Sequence, residues 1–420
     1  MRSIRTILAL SVAGTLAACG GDTAPQTVGS VAPPAGTPTP THSFVSPTEP
    51  KTYEGLGAVQ HYEYSTQSNV NGPAAAGTQH GQLYAGDANT VRDSGISLSY
   101  NPRDAIFELT INRPKGIVNV SASRFQDPAH RTNFGGATEP QAGVPNFTTA
   151  LNGIQYLEAG GSSGNVLNPK TKYDGNGVSA AQSTYVVGDD RFSSSIQTFF
   201  YQKPGTTNKY GTTTRYVTYA GFVRNNISAA LVQPADPTAQ QELHQNYSFD
   251  RAAFVFGERT ANAAVPTSGS GSFTGDMIAS VVYNPLLDVD AVAPSYLQWM
   301  SGKATTDVNF ATGVVTTHLD GTALAPPLDA YTTGAYLLAA GTAFSADGKA
   351  TIDIVNKGGF TGQFTAASFA GLGTINIAGS SLDGAFFGPN GEEVGAGFRI
   401  VGGTPDQRID ILGAFTGAKK

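Results

Sequence analysis

Phe386-Phe-Gly-Pro-Asn-Gly-Glu-Glu-Val-Gly-Ala-Gly-Phe398 is the stretch on which the fold turns. Gly388, Pro389, Asn390 and Gly391 are the residue types that reverse a chain tightly. The apolar residues on either side then belong to two strands joined by that turn. Glu392 and Glu393 stand next to each other. Paired carboxylates can do acid–base work, but neighbours on a strand point to opposite faces. The pair therefore reads as structural, with a glutamate available to the amides of the turn.

Similar short strands lie on both sides of this hairpin. Upstream are 270–275 leading into 277–283, 307–310 turning through 311–313 into 314–319, then 351–355, 360–364, 373–377 and 382–387. Downstream are 395–400 and 408–415. Roughly eight strands thus fall in about 170 residues, enough for a closed antiparallel β-barrel whose interior side chains just fill it. Closure also removes exposed sheet edges. The chain ends Gly417-Ala-Lys-Lys420, whereas a membrane-spanning barrel needs an outward apolar band with aromatic girdles. The expected barrel is water-soluble.

Residues 51–250 form a second β-rich region. Tyr53, Tyr62, Tyr64, Tyr84 and Tyr100 appear among Val, Ile, Leu and Phe. The runs 96–100, 105–111, 195–201 and 214–223 read as strands between Gly-, Pro- and Asn-rich turns. In the second of these, Ile106 is set apart from Phe107, Leu109 and Ile111. Residues 236–247 are the one place where a short helix competes with a loop. The expected class is all-β, with boundaries at 51–250 and 251–420.

The N-terminus reads as an export signal. Arg2 and Arg5 precede the apolar run 6–15, which is too short for a membrane span of about 20 residues. Leu16-Ala17-Ala18-Cys19 then matches a bacterial lipobox. Leu16, Ala17 and Ala18 are the signal-peptidase recognition residues, and Cys19, the one cysteine, is the lipidation site. Residues 1–18 are the signal peptide. Gly20 rather than Asp follows the cysteine, which favours the outer membrane. Residues 19–50 hold Pro25, Pro33, Pro34, Pro38, Pro40, Pro47 and Pro50 and too few apolar side chains to offset ordering. They read as a disordered spacer carrying the folded part away from the lipid.

Composition narrows the function. With its single cysteine given to lipid, the chain has no disulfide and depends on core and backbone pairing. Charged residues are 13% of the chain, against roughly 25% in ordinary globular domains. Loss of Arg2 and Arg5 with the signal leaves 23 basic against 31 acidic residues. The absence of a basic patch argues against a nucleic-acid partner.

The C-terminal half resembles the barrel domain of the transferrin-binding protein B family. Its signature reads phenylalanine/tyrosine-Gly-Pro-Asn-Ala-Glu-Glu-Val/Leu-Gly-Gly-x-Phe, matched here through Gly388, Pro389, Asn390, Glu392, Glu393 and Gly395. Pro266-Thr-Ser-Gly-Ser-Gly-Ser-Phe-Thr-Gly275 resembles the first barrel strand of that family. Asp307-Val-Asn-Phe-Ala-Thr-Gly313 resembles the second, and Ile409-Asp-Ile-Leu-Gly-Ala-Phe-Thr-Gly-Ala-Lys-Lys420 the closing one. Gly391 stands where Ala is usual and Ala396 where Gly is usual. The resemblance implies a handle domain followed by an eight-stranded barrel, in a single lobe. It also implies a lipoprotein, tethered through Cys19, that captures a protein, haem or another nutrient at the cell surface. An outer-membrane receptor or surface-export translocon would be a further partner. The periplasmic face of the membrane remains the alternative location. Transferrin binding itself does not carry over, since the binding loops have no motif.

Other residues carry less. His42, His61, His80, His130, His244 and His318 show no i, i+4 pairing of metal-ligand type. A single histidine, Met277, Met300 or a tyrosine could each ligate haem, but no cofactor or metal is expected. Gly160-Gly-Ser-Ser-Gly164 lacks the helix a nucleophile elbow requires. Asp288 and Asp290 lack the remaining positions of a calcium loop. No P-loop or dinucleotide fingerprint occurs, and no convergent catalytic set is visible, so a non-enzyme is expected. Tyr296 and Trp299 are the candidates for ligand contact, with burial of Trp299 against the barrel the favoured reading. Phe199, Phe200, Tyr201 and Tyr210 carry the same ambiguity. The functional expectation is a non-catalytic ligand-binding lipoprotein for nutrient acquisition, such as capture of an iron source. A structural or adhesive surface module is the alternative.

Overall fold

The computed structural model describes residues 47–69, 78–82, 94–112, 120–126, 147, 150–164, 191–239, 241–284, 296–324, 338–403 and 408–420, all within one compact unit. In chain order the first ten strands are β1 (Lys51–Glu54), β2 (Leu56–Asn69), β3 (Thr78–Gln82), β4 (Ile96–Asn101), β5 (Ile106–Ile111), β6 (Val120–Gln126), β7 (Ile154–Gly164), β8 (Arg191–Gln202), β9 (Val217–Val232) and β10 (Glu242–Gly257). They make two antiparallel sheets. One has four strands in the order β1-β4-β5-β6, and the other six in the order β3-β2-β10-β9-β8-β7. These two sheets are the handle.

The remaining strands are β11 (Ser270–Asn284), β12 (Tyr296–Asn309), β13 (Val314–Ala323), β14 (Ala343–Asp353), β15 (Gly359–Phe369), β16 (Gly373–Thr374), β17 (Asn376–Phe387), β18 (Glu393–Gly403) and β19 (Arg408–Lys419). Neighbours pair in the order β14-β13-β12-β11-β19-β18-β17-β15, and β14 pairs with β15 to close the ring. The two-residue β16 hangs on the end of β15. The result is the expected closed eight-stranded antiparallel barrel in an almost wholly β chain. Its interior is filled. Phe273, Met277, Phe360, Phe364, Phe398 and Phe415 are at most 3% exposed and belong to one apolar cluster inside the ring.

The molecule is layered. On β10, Ala252, Phe254 and Phe256 pack with Phe107, Leu109 and Ile111 of the small sheet. The alternate residues Ala253 and Val255 pack against Ile278, Leu412 and Ala414 on the outer wall of the barrel. The six-stranded sheet is therefore covered on both faces, which is why 252–256 is a continuous apolar run rather than an alternating one. In β5, buried on one face only, Phe107, Leu109 and Ile111 alternate with half-buried neighbours.

Several local expectations change. Strand β9 starts at Val217 rather than at Thr214, because the N–H groups of 215–217 bond to a side chain of the barrel. Residues 236–239 make a turn held by Asp236 Oδ1, which accepts from the backbone N and Oγ1 of Thr238. From Glu242 the chain is strand, so neither helix nor loop persists there. Strand β10 runs through 250 and 251 to Gly257. The run expected to continue as strand to Val355 stops at Asp353, whose side chain accepts from Asn356 N and caps a one-turn helix, α1 (Ile354–Lys357).

Trp299 is the single tryptophan of the chain and is 1% exposed, edge-on to Phe147 and Phe200 between handle and barrel. Its emission is expected to be blue-shifted and resistant to acrylamide in the folded protein, and to move red in one step on unfolding. A native spectrum like that of free tryptophan would contradict this packing.

Candidate functional site

The Phe386–Phe398 hairpin sits where handle meets barrel. Gly388 has φ 87° and Gly391 has φ 73°, a left-handed backbone that glycine adopts without strain. The departure at Gly391 thus suits the turn. Glu392 bonds within it, accepting from Asn390 N and Nδ2 at 2.9 Å each. Glu393 reaches out of it. Its carboxylate is buried and accepts from the backbone N of Arg215 (2.6 Å), Tyr216 (2.8 Å) and Val217 (3.0 Å) of the handle. Two residues on, Gly395 brings the barrel close, since a Cβ there would lie 2.8 Å from Val217 and 3.2 Å from Val255.

A second buried carboxylate flanks this joint. Gln202 Nε2 of β8 donates to Asp276 Oδ2 of β11 at 2.8 Å and to Asn152 O at 3.0 Å. Further polar links are Ser280 Oγ to Gln60 Oε1 at 3.1 Å and Thr212 Oγ1 to Thr274 O at 2.8 Å. The linking segment adds Gly388 N to Glu258 O at 2.9 Å and Thr260 Oγ1 to Gly388 O at 2.6 Å. Burial pushes the Glu393 carboxyl up to about 7, against the pull of its three N–H donors. Burial likewise pushes Asp276 up to about 6, with the Gln202 bond opposing.

Within the handle, Asp250 is fully buried and bridges two strands. Its carboxylate meets His61 Nδ1 and accepts from Arg224 Nε, both at 2.6 Å. The next residue, Arg251, faces the barrel side, and burial lowers its guanidinium to about 9. Nothing in the sequence marks this row, because the three residues come from three separate strands.

The expected ligand contacts are distributed as follows. Trp299 is buried in the joint, and Phe199 and Phe200 are also buried, so these rings act as packing. Tyr296 opens β12. Met277 and Met300 are both fully buried. His61 is committed to Asp250, and His244 Nε2 lies 2.8 Å from Glu242. His318 is on the outer barrel wall, with Nδ1 2.7 Å from Asp347 and Nε2 3.1 Å from Asp320. The bond to Asp347 holds its imidazole above the ordinary range. Residues 160–164 are part of β7 rather than a loop. Among the described residues no group of three His, Cys, Asp or Glu is placed to hold a metal ion, and no helix is long and apolar enough to cross a membrane. Residues 16–19, His42, His130, Asp288 and Asp290 lie outside the described residues.

Removing the Glu393 side chain would take the acceptor from three N–H groups, that of Val217 fully buried and those of Arg215 and Tyr216 partly so. Glu393→Ala is expected to cost about 3 kcal/mol, read from urea unfolding followed by Trp299 emission. The pH dependence has a definite sign. Both carboxyls are held above their ordinary values of 4.5 and 3.8, so the folded state binds their protons more tightly. Their contribution is complete below those values and is lost as pH rises through about 6 and about 7. The melting temperature should fall between about pH 4 and about pH 7, and Glu393→Gln should flatten the upper part of that slope. An unchanged slope in the glutamine variant would contradict the assignment.

No protein-family model matches the chain, and no curated protein matches it either. Among solved structures it is similar to a single-site mutant of the vaccine antigen transferrin binding protein B from Haemophilus parasuis. The identity is 12%, with 87% of this chain and 76% of that chain covered and a TM-score of 0.24. The isotype 1 transferrin binding protein B of serogroup B Neisseria meningitidis aligns at 12% identity over 89% and 77% of the two chains, with a TM-score of 0.22. A structure described as a surface lipoprotein aligns at 12% identity over 49% of this chain and 76% of its own, with a TM-score of 0.24. The architecture stated above rests on the strand order and pairing of this chain.

Proposed function

We propose that this protein is a non-catalytic, lipid-anchored capture protein of the outer membrane, exposed at the cell surface, that binds its ligand on the outside of the handle–barrel body. The filled barrel carries this reading. Among the described residues Phe, Met, Leu and Ile side chains fill its interior, which favours recognition at outer surfaces over uptake of a solute such as haem inside the ring. A protein or another extended molecule is the ligand class that such surfaces suit. The lipobox and spacer supply the tether. In extended polyproline geometry the 19–50 segment reaches about 100 Å, far enough to hold the body clear of a membrane surface. An outer-membrane receptor or export translocon is the partner expected beside it. Haem or iron enters this reading as cargo of the captured ligand.

Protease shaving of intact cells carrying an epitope tag after Lys420 tests the location. The tag is expected to disappear while a periplasmic control survives, and purified protein digested in parallel shows that the folded body is cleavable. A tag protected until the outer membrane is broken would turn the reading towards a periplasmic binding or scaffold role. A C19A variant is expected to leave the membrane fraction; if it stays there, the anchor is not Cys19.

A further inference from the structure

The barrel wall that the handle leaves uncovered has its own chemistry. Strands β13 and β14 alternate strictly between buried and outward residues, and the outward ones form rows across the sheet. Thr305, His318 and Asp347 are register partners, as are Asp307, Thr316 and Lys349 in the next row, and Lys303 and Asp320 in the row before. A β-bulge at Asp347 and Gly348 interrupts the pairing with β15, which re-aims side chains locally. Beneath it lies a shallow groove of about 290 Å³ floored by threonine hydroxyls, His318, Asp347 and Lys349. No large apolar side chain lines it.

One exposed aromatic ring lies beside the Lys303–Asp320 row, the row next to that of His318. Tyr210, on the handle connection between β8 and β9, is 37% exposed and lies 5.9 Å from Lys303 Nζ. Its loop is held rigidly. Asn208 Oδ1 accepts from the N of Tyr210 and of Thr212, both at 3.0 Å, and Thr212 Oγ1 donates to Thr274 O of the barrel. Apart from Tyr210, large exposed hydrophobic residues are few in the described structure: Val232, Val314 and Val355.

We infer that Tyr210 and the His318–Asp347 groove form a docking surface for a neutral glycan. The groove is lined by threonine hydroxyls and methyls, carboxylates, an imidazole and an ammonium group, a set suited to a ligand that brings hydrogen-bonding groups and small apolar faces of its own. Signs alternate along the wall, with Asp307, Asp320 and Asp347 interleaved with Lys303, Lys349 and His318. No single-sign field is left to attract an ion. His318 is fixed by one oxygen of each flanking aspartate. The second oxygen of Asp320 and of Asp347, on side chains 59% and 61% exposed, has no partner among the described residues and can accept from a ligand hydroxyl. Tyr210 adds a rigid amphipathic face on which the C–H side of a sugar ring can lie. Hydroxyls, acceptors and an aromatic plate together match a polyhydroxylated, uncharged ligand. This inference concerns the barrel wall and the handle loop of Tyr210, and stands whichever side of the membrane the protein faces.

The test is an array carrying neutral oligosaccharides beside sialylated and sulfated ones, probed with the purified full chain. Calorimetric titration of the best-retained saccharide follows. Retention on neutral saccharides is expected, little affected by added salt, and weakened about tenfold in Tyr210→Ala and in Asp347→Ala. Thermal melts confirm that each variant is folded, and if one is not, the other decides. Retention only on charged saccharides, no retention at all, or equal affinity in the folded variants would overturn the inference.

Discussion

The joint between handle and barrel rests on one carboxylate. At the start of β9 the N–H groups of Arg215, Tyr216 and Val217 converge on the buried Glu393, which accepts all three. Backbone donors left unpaired there would oppose the packing of Ile278, Leu412 and Ala414 against the six-stranded sheet. Burying a carboxyl is itself unfavourable, which is why its proton affinity rises. The arrangement holds because donors and apolar contacts act on the same side chain and its surroundings. Handle and barrel are thus joined as one body, with a sheet that has an apolar layer on each face.

That layering explains the distribution of chemistry on the surface. Where the handle covers the barrel, β19 is buried along nearly its whole length, on inner and outer faces alike. Where it does not, β13 and β14 alternate, and apart from Val314 and Ala343 at the strand starts their outward residues up to Thr351 are threonine, serine, aspartate, lysine and histidine. The barrel interior is taken up by aromatic and aliphatic packing. The outer walls and loops such as that of Tyr210, which the scaffold holds in place, carry the exposed polar groups.

Much of the fold was legible in the order of residues. Alternation in 105–111 and the run 314–319 both read as strands, and the structure has strands at 106–111 and 314–323 with one-sided burial. Glycine, proline and asparagine at 388–391 mark a reversal because few other residues tolerate the backbone angles seen there. The spacing of strands after residue 270 implied a closed ring of eight, since that number lets side chains fill the centre. Errors arose at ends. Thr214 and Val355 look like strand residues by propensity, but Glu393 and Asp353 divert the backbone bonds that would extend those strands.

The chain by itself determined the all-β class, the run of short strands and the hairpin, because each depends on neighbours a few residues apart. Tertiary structure alone decided which residues act together. Glu393 and its partners are separated by more than 170 residues. His61, Asp250 and Arg224 meet only because β2, β9 and β10 pair in one register. Tyr210 reaches Lys303 only because a handle loop is clamped to the barrel. Periodicity reports which face of a strand is covered, but not by what. That choice is made by long-range packing, which leaves no local pattern in sequence.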